Sequence, residues 1–208
     1  MYLMRSAPYE YLVPGMNLYE SFNVVGKGDY EVEISEKEAT IFVEKLSDEL
    51  KCKTVFTSPR VRSQQTGKLL TSQPIVVEDL REVLYNMDEF ISEDDFFDTN
   101  GKPNVTKARK AFVKTLINDD LTEKFGSVIE RIESLIKKVI DTDAEIIVMV
   151  SHGFFMKIFE AYVIDPSIKY EPNRLLKYFS GASETFAFGE KAKFMQEGNS
   201  VLIANVEN

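Results

Sequence analysis

Apolar residues along this chain occur in two patterns, short continuous runs and longer stretches with the period of a helix. Continuous runs of four or five apolar residues bounded by turn residues are typical of buried β-strands. Such runs predict strands at residues 1–4 and 146–150, and β-branched residues predict strands at 53–57 and 74–77. Two further strands are predicted at 184–188 and 200–204. A turn at Gly189 and Glu190 is expected between Phe188 and the segment around Phe194.

Helical spacing fills much of the chain between these strands. Ser35 and Glu38 form a capping-box pattern at the start of one helix. Ser58 followed by Pro59 is typical of the N-cap and first turn of another. Helices are predicted over residues 36–50, 59–70, 105–116 and 125–139, and from Gly153 through the apolar positions at 155, 158, 159 and 162.

Two segments show neither pattern. Residues 9–34 contain one proline and three glycines and are predicted to form a long loop. Residues at about 83–104 are irregular, acidic and aromatic, and we interpret them as an insertion or lid. The run at 93–98 fits either a solvated acidic loop or a lid in which exposed Phe96 and Phe97 cover a ligand.

The order of these elements indicates the fold class. Strands that alternate with helical stretches predict an α/β fold of three layers, in which a mostly parallel sheet lies between helices. The chain has 208 residues and 44% apolar content, which fits a single domain over 1–208. The sequence shows no internal repeat, low-complexity tract or linker that would divide it.

Charge and cysteine content narrow the possible functions. The chain carries 25 basic and 34 acidic residues, a net charge of −9, and no Lys/Arg-rich run, so nucleic acid is not an expected partner. The single cysteine, Cys52, cannot form an internal disulfide, and no apolar span predicts a membrane helix or a secretory signal. We therefore expect a soluble cytoplasmic protein with no metal or other cofactor.

Polar residues that follow three of the predicted strands indicate a binding site. Arg5 and Ser6 follow the first strand, Arg62 lies early in the helix after the second, and His152 follows the fourth. Ligands bind beyond the carboxyl ends of the strands in open parallel sheets. These four side chains are therefore expected to share one cleft.

Phosphate is the ligand that this set of side chains favours. The guanidinium groups of arginine match phosphoryl oxygens in charge and geometry. Exposed backbone amides at the two helix starts, near Arg60 and Gly153, are expected to add anion affinity. We expect the partner to be phosphate or a small phosphorylated molecule.

Four segments around these residues resemble the signatures of the histidine phosphatase superfamily, also called the phosphoglycerate mutase-like superfamily. In order they are YLMRSA (2–7), TSPRVRSQQT (57–66), LRE (80–82) and VMVSHG (148–153). The resemblance implies a phosphoglycerate mutase-like fold and a metal-free, two-step phosphoryl transfer. In that chemistry a histidine attacks phosphorus, arginines and a second histidine hold the phosphoryl oxygens, and an acid protonates the leaving oxygen.

The resemblance also implies roles for particular residues. The phosphate-binding positions are matched by Arg5, Arg62 and His152. The proton-donor position is matched by Glu82, in the least specific of the four segments, and Asp88 and Glu89 remain alternatives for that role.

The nucleophile position departs from the family pattern, because Ser6 stands where the family has histidine. The only histidine of the chain, His152, is expected to hold phosphate, so no base is left to activate the Ser6 hydroxyl. Deleting a covalent nucleophile costs on the order of 10⁶ in turnover in a protease. We expect Ser6, Glu82 and His152 to occupy catalytic positions in a site that binds phosphomonoesters but hardly turns them over.

Two functions fit this reasoning. One is a phosphomonoester phosphatase that is inactive or nearly so in this chain, whether Ser6 is natural or was introduced in place of histidine. The other is a pseudoenzyme, a non-catalytic sensor of a phosphorylated ligand or a partner-binding protein. A phosphoglycerate mutase is less favoured, because the chain is short for that branch. Neither the substrate nor the oligomeric state is indicated by the sequence.

Overall fold

A mixed sheet of six strands forms the centre of the computed structural model, which describes residues 1–7, 12–45, 54–179, 191–197 and 200–207. The strands are β1 (Tyr2–Arg5), β2 (Thr54–Thr57), β3 (Ile75–Val76), β4 (Ile147–Ser151), β5 (Lys191–Glu197) and β6 (Ser200–Glu207). Across the sheet they follow the order β3-β2-β4-β1-β5-β6. The four strands from β3 to β1 are parallel, whereas β5 and β6 pair antiparallel. The predicted α/β fold with a mostly parallel sheet is confirmed.

Helices connect the parallel strands. Within the described residues they are α1 (Leu18–Lys27), α2 (Glu36–Lys45), α3 (Val61–Leu70), α4 (Glu93–Phe96), α5 (Val105–Ile117), α6 (Phe125–Ile140) and α7 (Gly153–Ile164). Short 3₁₀ helices lie at Glu78–Leu80, Met87–Glu89, Pro166–Lys169 and Pro172–Phe179. The helices predicted from apolar spacing over 105–116 and 125–139 correspond closely to α5 and α6.

Two hydrophobic clusters cover the two faces of the sheet. Successive side chains of a strand point to opposite faces, so Leu3 and Met149 pack in the larger cluster with α5, α6 and α7. Tyr2 and Val148 pack in the smaller cluster with Phe42 of α2 and the end of α3. All five residues of β4 are buried. This three-layer packing explains why the sequence of β4 is continuously apolar up to its last residue.

Helix α1 lies in a segment that the sequence predicts to be a loop, and that prediction is wrong for Leu18–Lys27. The Asn17 side chain accepts a hydrogen bond from the Glu20 amide, and the Glu20 carboxylate accepts one from the Asn17 amide, forming a capping box. Gly28 ends the helix with φ of 89°, a left-handed conformation that glycine adopts readily. These capping residues indicate a helix in the sequence, but the nearby proline and glycines led to the prediction of a loop.

The segment at about 83–104 is more ordered than the sequence suggests. It contains a 3₁₀ helix and α4, and an isolated bridge joins Phe97 to Pro103. Phe96 is only 1% exposed, because it packs with Tyr19 and Phe22 of α1, so the expectation of an exposed aromatic is wrong there. The carboxylates of α4 face solvent while its phenylalanine joins the core.

The end of the chain differs in part from the expected pattern. The described hairpin joins β5 to β6, with Glu197 paired to Ser200, and β6 extends beyond the predicted end at 204. The strand predicted at 184–188 and the turn predicted at 189–190 lie outside the described residues, as does Cys52. Among the helices of the described residues, none has the length and apolar character needed to cross a bilayer.

Candidate active site

Three strand ends come together at one edge of the sheet. Arg5 of β1 is in register with Ser151 of β4, so the next residues of the two parallel strands, Ser6 and His152, are neighbours. The Ser6 amide donates to the Ser151 carbonyl at 3.2 Å. On the other side of β4, the Ser58 amide donates to the Val150 carbonyl at 3.0 Å. The backbone register therefore brings these three strand ends together at the carboxyl edge of the sheet.

Hydrogen bonds at both ring nitrogens hold the side chain of His152 in place. Arg62 Nη2 donates to His152 Nδ1 at 3.0 Å, and since arginine can only donate, Nδ1 carries no proton. The proton is then on Nε2, which lies 2.8 Å from Ser58 Oγ and 3.4 Å from Ser63 Oγ. Burial, and then the charges of Arg62, Arg60 and Arg5, hold the pKa of His152 well below its ordinary value. His152 is a neutral imidazole in this arrangement.

The start of α3 differs from the sequence expectation. The helix begins at Val61 with Arg60 as N-cap, and Ser58 Oγ both accepts from the Arg60 amide at 3.3 Å and bonds to the His152 ring. The amide of Val61 donates to Glu31 Oε2 at 3.1 Å, and Arg60 Nη1 donates to Glu31 Oε1 at 2.9 Å. A helix start attracts an anion, but here a carboxylate of the protein provides it. The expectation of exposed amides near Arg60 is wrong.

A cavity of about 250 Å³ lies beside this strand edge. Arg5, Arg62, Glu82 and Gly153 all line it. A Cβ on Gly153 would lie 3.5 Å from Arg5 Cζ, so the guanidinium of Arg5 lies across the first residue of α7. Two of the predicted phosphate-binding residues and the predicted proton donor therefore meet on one cavity.

His152 and Ser6 lie behind this wall rather than in it. Both are buried, at 3% and 1% exposure, and neither is among the described residues that line the cavity. His152 does not line the cavity itself. It bonds to Arg62, whose side chain lies between the imidazole and the opening. Ser6 Oγ forms no hydrogen bond with any described residue, which for a buried hydroxyl is unfavourable by about 1–3 kcal/mol.

The side chain of Glu82 caps the N-terminal end of α7. Its carboxylate accepts hydrogen bonds from the amides of Phe155 at 2.9 Å, Val83 at 3.1 Å and Phe154 at 3.3 Å. Burial raises the pKa of Glu82, while these amide bonds and the nearby charge of Arg62 oppose that increase. A raised pKa makes this carboxyl a better proton donor than an exposed glutamate.

The two alternative carboxylates are placed elsewhere. Asp88 accepts a hydrogen bond from the Tyr19 hydroxyl at 2.6 Å and faces α1. Glu89 accepts from the Asn86 amide at 3.0 Å and closes the cap of a 3₁₀ helix. Glu82 is the carboxylate that lines the cavity among the described residues.

A buried ion network fixes the segment that carries Glu82. Glu123 is 6% exposed and forms a two-bond pair with Arg81, at 2.8 and 3.0 Å. It also accepts from Arg131 Nε at 2.9 Å and from the Leu84 amide at 2.9 Å. Arg131 in turn donates to the carbonyls of Asp79 and Arg81, just before Glu82. Because the residues before and after Glu82 are held, its carboxylate keeps its position at the start of α7.

The variant Glu123→Gln is expected to destabilise the fold by about 3–5 kcal/mol, because two arginines lose a buried anionic partner. Glu78→Gln is the matched control, since Glu78 also pairs with Arg81, at 3.6 Å, but its side chain is 73% exposed. An exposed pair contributes at most about 1 kcal/mol. Urea unfolding monitored by circular dichroism measures both, and equal midpoints for the two variants would show that the network does not stabilise the fold.

His152 is expected to make the fold less stable in acid. The folded state keeps His152 neutral, whereas the unfolded chain binds a proton below the ordinary pKa of 6.5, so the free energy of unfolding decreases as the pH falls through that value. The contribution is about 1.4 kcal/mol between about pH 7.5 and 5.5. Urea unfolding of the parent and of His152→Gln at these two pH values isolates the contribution of His152. The carboxylates are the same in the two proteins, so their effect on the pH dependence cancels in the comparison. A parent and variant with the same pH dependence would contradict a neutral His152.

Several residues of the site were not identified from the sequence. Phe22 and Gly26 of α1 line the cavity, and they fall in the segment predicted to be a loop. Glu31 and Glu123 also carry no motif, because their roles depend on which cation the fold places beside them. The capping box at Asn17 was the one sequence signal that leads to any of these residues.

The fold and the site define an α/β protein in which three arginines and one carboxylate line a cavity at the carboxyl edge of a parallel sheet. Residues 24–179 match the family model of the histidine phosphatase superfamily, branch 1, and the chain belongs to this superfamily. Arg5 and Ser6 precede the matched residues and lie outside the match. No curated protein sequence matches the chain.

Solved structures of phosphatases share the fold over nearly the whole chain. A histidine-to-alanine mutant of phosphoserine phosphatase from Entamoeba histolytica, in complex with phosphoserine, is 13% identical with a TM-score of 0.58, covering 99% of this chain and 94% of its own. The phosphoserine phosphatase of the same organism with 3-phosphoglyceric acid is 14% identical, with a TM-score of 0.57 and coverage of 100% and 95%. The alpha-ribazole phosphatase of Shigella flexneri is 16% identical, with a TM-score of 0.58 and coverage of 100% and 95%.

Proposed function

We propose that this chain binds phosphomonoesters at the Arg5 and Arg62 side of the cavity and hydrolyses them at most slowly. The observation that carries the proposal is the placement of two guanidinium groups and the Glu82 carboxyl on one cavity. Guanidinium groups bind phosphoryl oxygens in pairs of charge-assisted hydrogen bonds. The phosphatase structures that share the fold support a phosphorylated ligand, since one of them holds phosphoserine and another 3-phosphoglyceric acid.

In this proposal the arginines bind the phosphoryl group and His152 supports them. The neutral Nδ1 of His152 holds Arg62 Nη2 in place from behind the cavity wall. His152 itself reaches a phosphoryl oxygen only if its ring exchanges the bond to Arg62 or to Ser58 for one to the ligand. Glu82, whose pKa is raised, donates a proton to the leaving oxygen on the same cavity.

The slow turnover follows from the surroundings of Ser6. A serine attacks phosphorus only when a base removes its proton, and Ser6 Oγ forms no hydrogen bond with any described residue. The His152 ring cannot serve, because Nδ1 is occupied by Arg62 and the Nε2 proton points to Ser58 Oγ. Ser6 therefore takes the place of the phosphate-accepting histidine without its reactivity.

The second candidate is a pseudoenzyme that senses a phosphorylated ligand or binds a partner. The observation that favours it is the same inert Ser6, because a sensor needs the arginines but no nucleophile. Glu82 favours the impaired phosphatase, since a sensor has no need of a proton donor on the cavity. The histidine-to-alanine neighbour is in complex with phosphoserine, which supports binding of a phosphorylated ligand in either case.

Titration calorimetry with inorganic phosphate, together with an assay of p-nitrophenyl phosphate hydrolysis, tests this function. We expect saturable phosphate binding with one site per chain and hydrolysis close to the uncatalysed rate. Absence of phosphate binding would contradict the proposed site. Rapid hydrolysis by the chain with Ser6 would contradict the proposed loss of the nucleophile.

A further inference from the structure

The cavity walls away from the arginines are apolar. Helix α1 provides Phe22 and Val25, and helix α5 provides Val105 and Ala108, which lie three residues apart on one face. The remaining apolar walls come from the segment before α5 and from the start of α7: Tyr85, Met87, Phe90, Phe96 and Phe154. Five of the lining residues are therefore aromatic, and they come from three parts of the chain: α1, the segment before α5, and the start of α7.

These aromatic walls are fixed by ring packing. Phe154 stacks on Phe112 with ring centroids 4.1 Å apart, and the Tyr85 ring meets Phe112 edge-on at 5.6 Å. Phe90 also meets Phe112 edge-on at 5.6 Å. A Cβ on Gly26 would lie 2.3 Å from the Tyr85 ring, so that ring packs directly on the backbone of α1. Because the walls are packed before any ligand binds, little ordering cost opposes binding of a flat group.

The polar groups of the cavity are few and unevenly placed. Among the described lining residues Glu82 is the single carboxylate, and Arg109 is the charged residue apart from the groups proposed to act on the phosphoryl group. An ammonium group, such as that of phosphoserine, would find no anionic partner there except Glu82, which the mechanism uses. Removing an ammonium group from water without a carboxylate partner costs more than a cation–π contact of about 2 kcal/mol with the aromatic walls returns.

We propose that the alcohol part of the preferred phosphomonoester is aromatic, a single ring that the apolar walls enclose. This inference rests on the proposed function and names its substrate class. A dry apolar cavity of about 150 Å³ holds one benzene molecule, so about 250 Å³ accommodates one ring with its ester oxygen. Arg109 provides a hydrogen-bond donor for an acceptor substituent on that ring.

Binding to the chain as it stands tests the inference without interference from turnover. The probes are phenyl phosphate, O-phosphoserine and inorganic phosphate, measured by titration calorimetry at the same pH and salt. Enclosing the ring is expected to make phenyl phosphate bind about 10- to 100-fold more tightly than inorganic phosphate, with O-phosphoserine no tighter than inorganic phosphate. If inorganic phosphate binds and phenyl phosphate binds no tighter than O-phosphoserine, the aromatic subsite is wrong while the proposed function stands. If none of the three binds, the proposed function itself fails.

A pair of variants on α5 locates the subsite. Ala108→Leu places extra carbons in the cavity and is expected to reduce the ratio of phenyl phosphate affinity to inorganic phosphate affinity at least tenfold. Ala111→Leu is the matched control, because Ala111 lies on the same helix but outside the lining of this cavity. Thermal unfolding of both variants confirms that they are folded. An unchanged ratio in a folded Ala108→Leu, or the same reduction in Ala111→Leu, would overturn the assignment of the ring to this cavity.

Discussion

Ser6→His is expected to hydrolyse p-nitrophenyl phosphate faster than the parent chain by a factor on the order of 10³ or more, given that a missing nucleophile costs on the order of 10⁶ in a protease. The new imidazole would follow β1 directly, and because it is larger than the buried hydroxyl it is expected to extend toward the cavity beside Arg5. Its nitrogen forms a bond to phosphorus while the phosphorus–oxygen bond of the ester breaks, and Glu82 supplies the proton to the leaving oxygen. Water then hydrolyses the phosphohistidine to release phosphate.

The control for this gain is Ser6→Gln, which adds a side chain of similar size but no nucleophilic imidazole. Both variants fill a buried position, so thermal unfolding and inorganic phosphate titration establish that each is folded and binds. A folded Ser6→His that binds phosphate but shows no hydrolysis would favour the sensor over the phosphatase. Equal hydrolysis by Ser6→His and Ser6→Gln would show that the imidazole is not the nucleophile.

Arg62→Met is expected to weaken binding of inorganic phosphate by about 2–5 kcal/mol, which is thirtyfold or more, because a buried charge loses its partner. Arg62 is 3% exposed and lines the cavity together with Arg5, whereas the third arginine of the lining, Arg109, belongs to α5. Removal of Arg62 also takes away the largest nearby charge acting on His152, and the pKa of His152 should move toward its ordinary value.

Arg60→Met is the matched control for Arg62→Met. It removes the same charge from the same helix start, but Arg60 bonds to Glu31 and the Val25 carbonyl and does not line the cavity. Titration calorimetry should show a much smaller loss of phosphate affinity for Arg60→Met. Equal losses in the two variants would mean that phosphate responds to the overall positive field rather than to a contact with Arg62.

The parts of the fold that the sequence predicts best are those in which burial is continuous or periodic. The run at 146–150 identifies the central strand because both of its faces are covered, and the apolar stripe of α6 identifies a helix packed on one side. Helix α1 was missed because one proline and three glycines in residues 9–34 indicated a loop, although a capping box and an amphipathic pattern mark the helix. The residues of α1 that line the cavity were therefore missed as well.

The placement of the site was predictable to the extent that it follows from the sheet. Arg5, Ser6 and His152 follow adjacent parallel strands, and register alone brings their backbones together. The role of His152 was not predictable, because only the packed structure places it behind Arg62 and not in the cavity wall. Likewise, no pattern in the sequence shows that Glu31 occupies the start of α3, which depends on contacts between distant segments.

A crystal structure of the chain grown with inorganic phosphate is the most direct test of the proposed site. The expected result is a phosphate ion bound between the guanidinium groups of Arg5 and Arg62, at the opening of the aromatic cavity and facing Glu82. Arg5 and Arg62 directed into separate regions, or a phosphate bound elsewhere while this cavity stays empty, would contradict the proposed site.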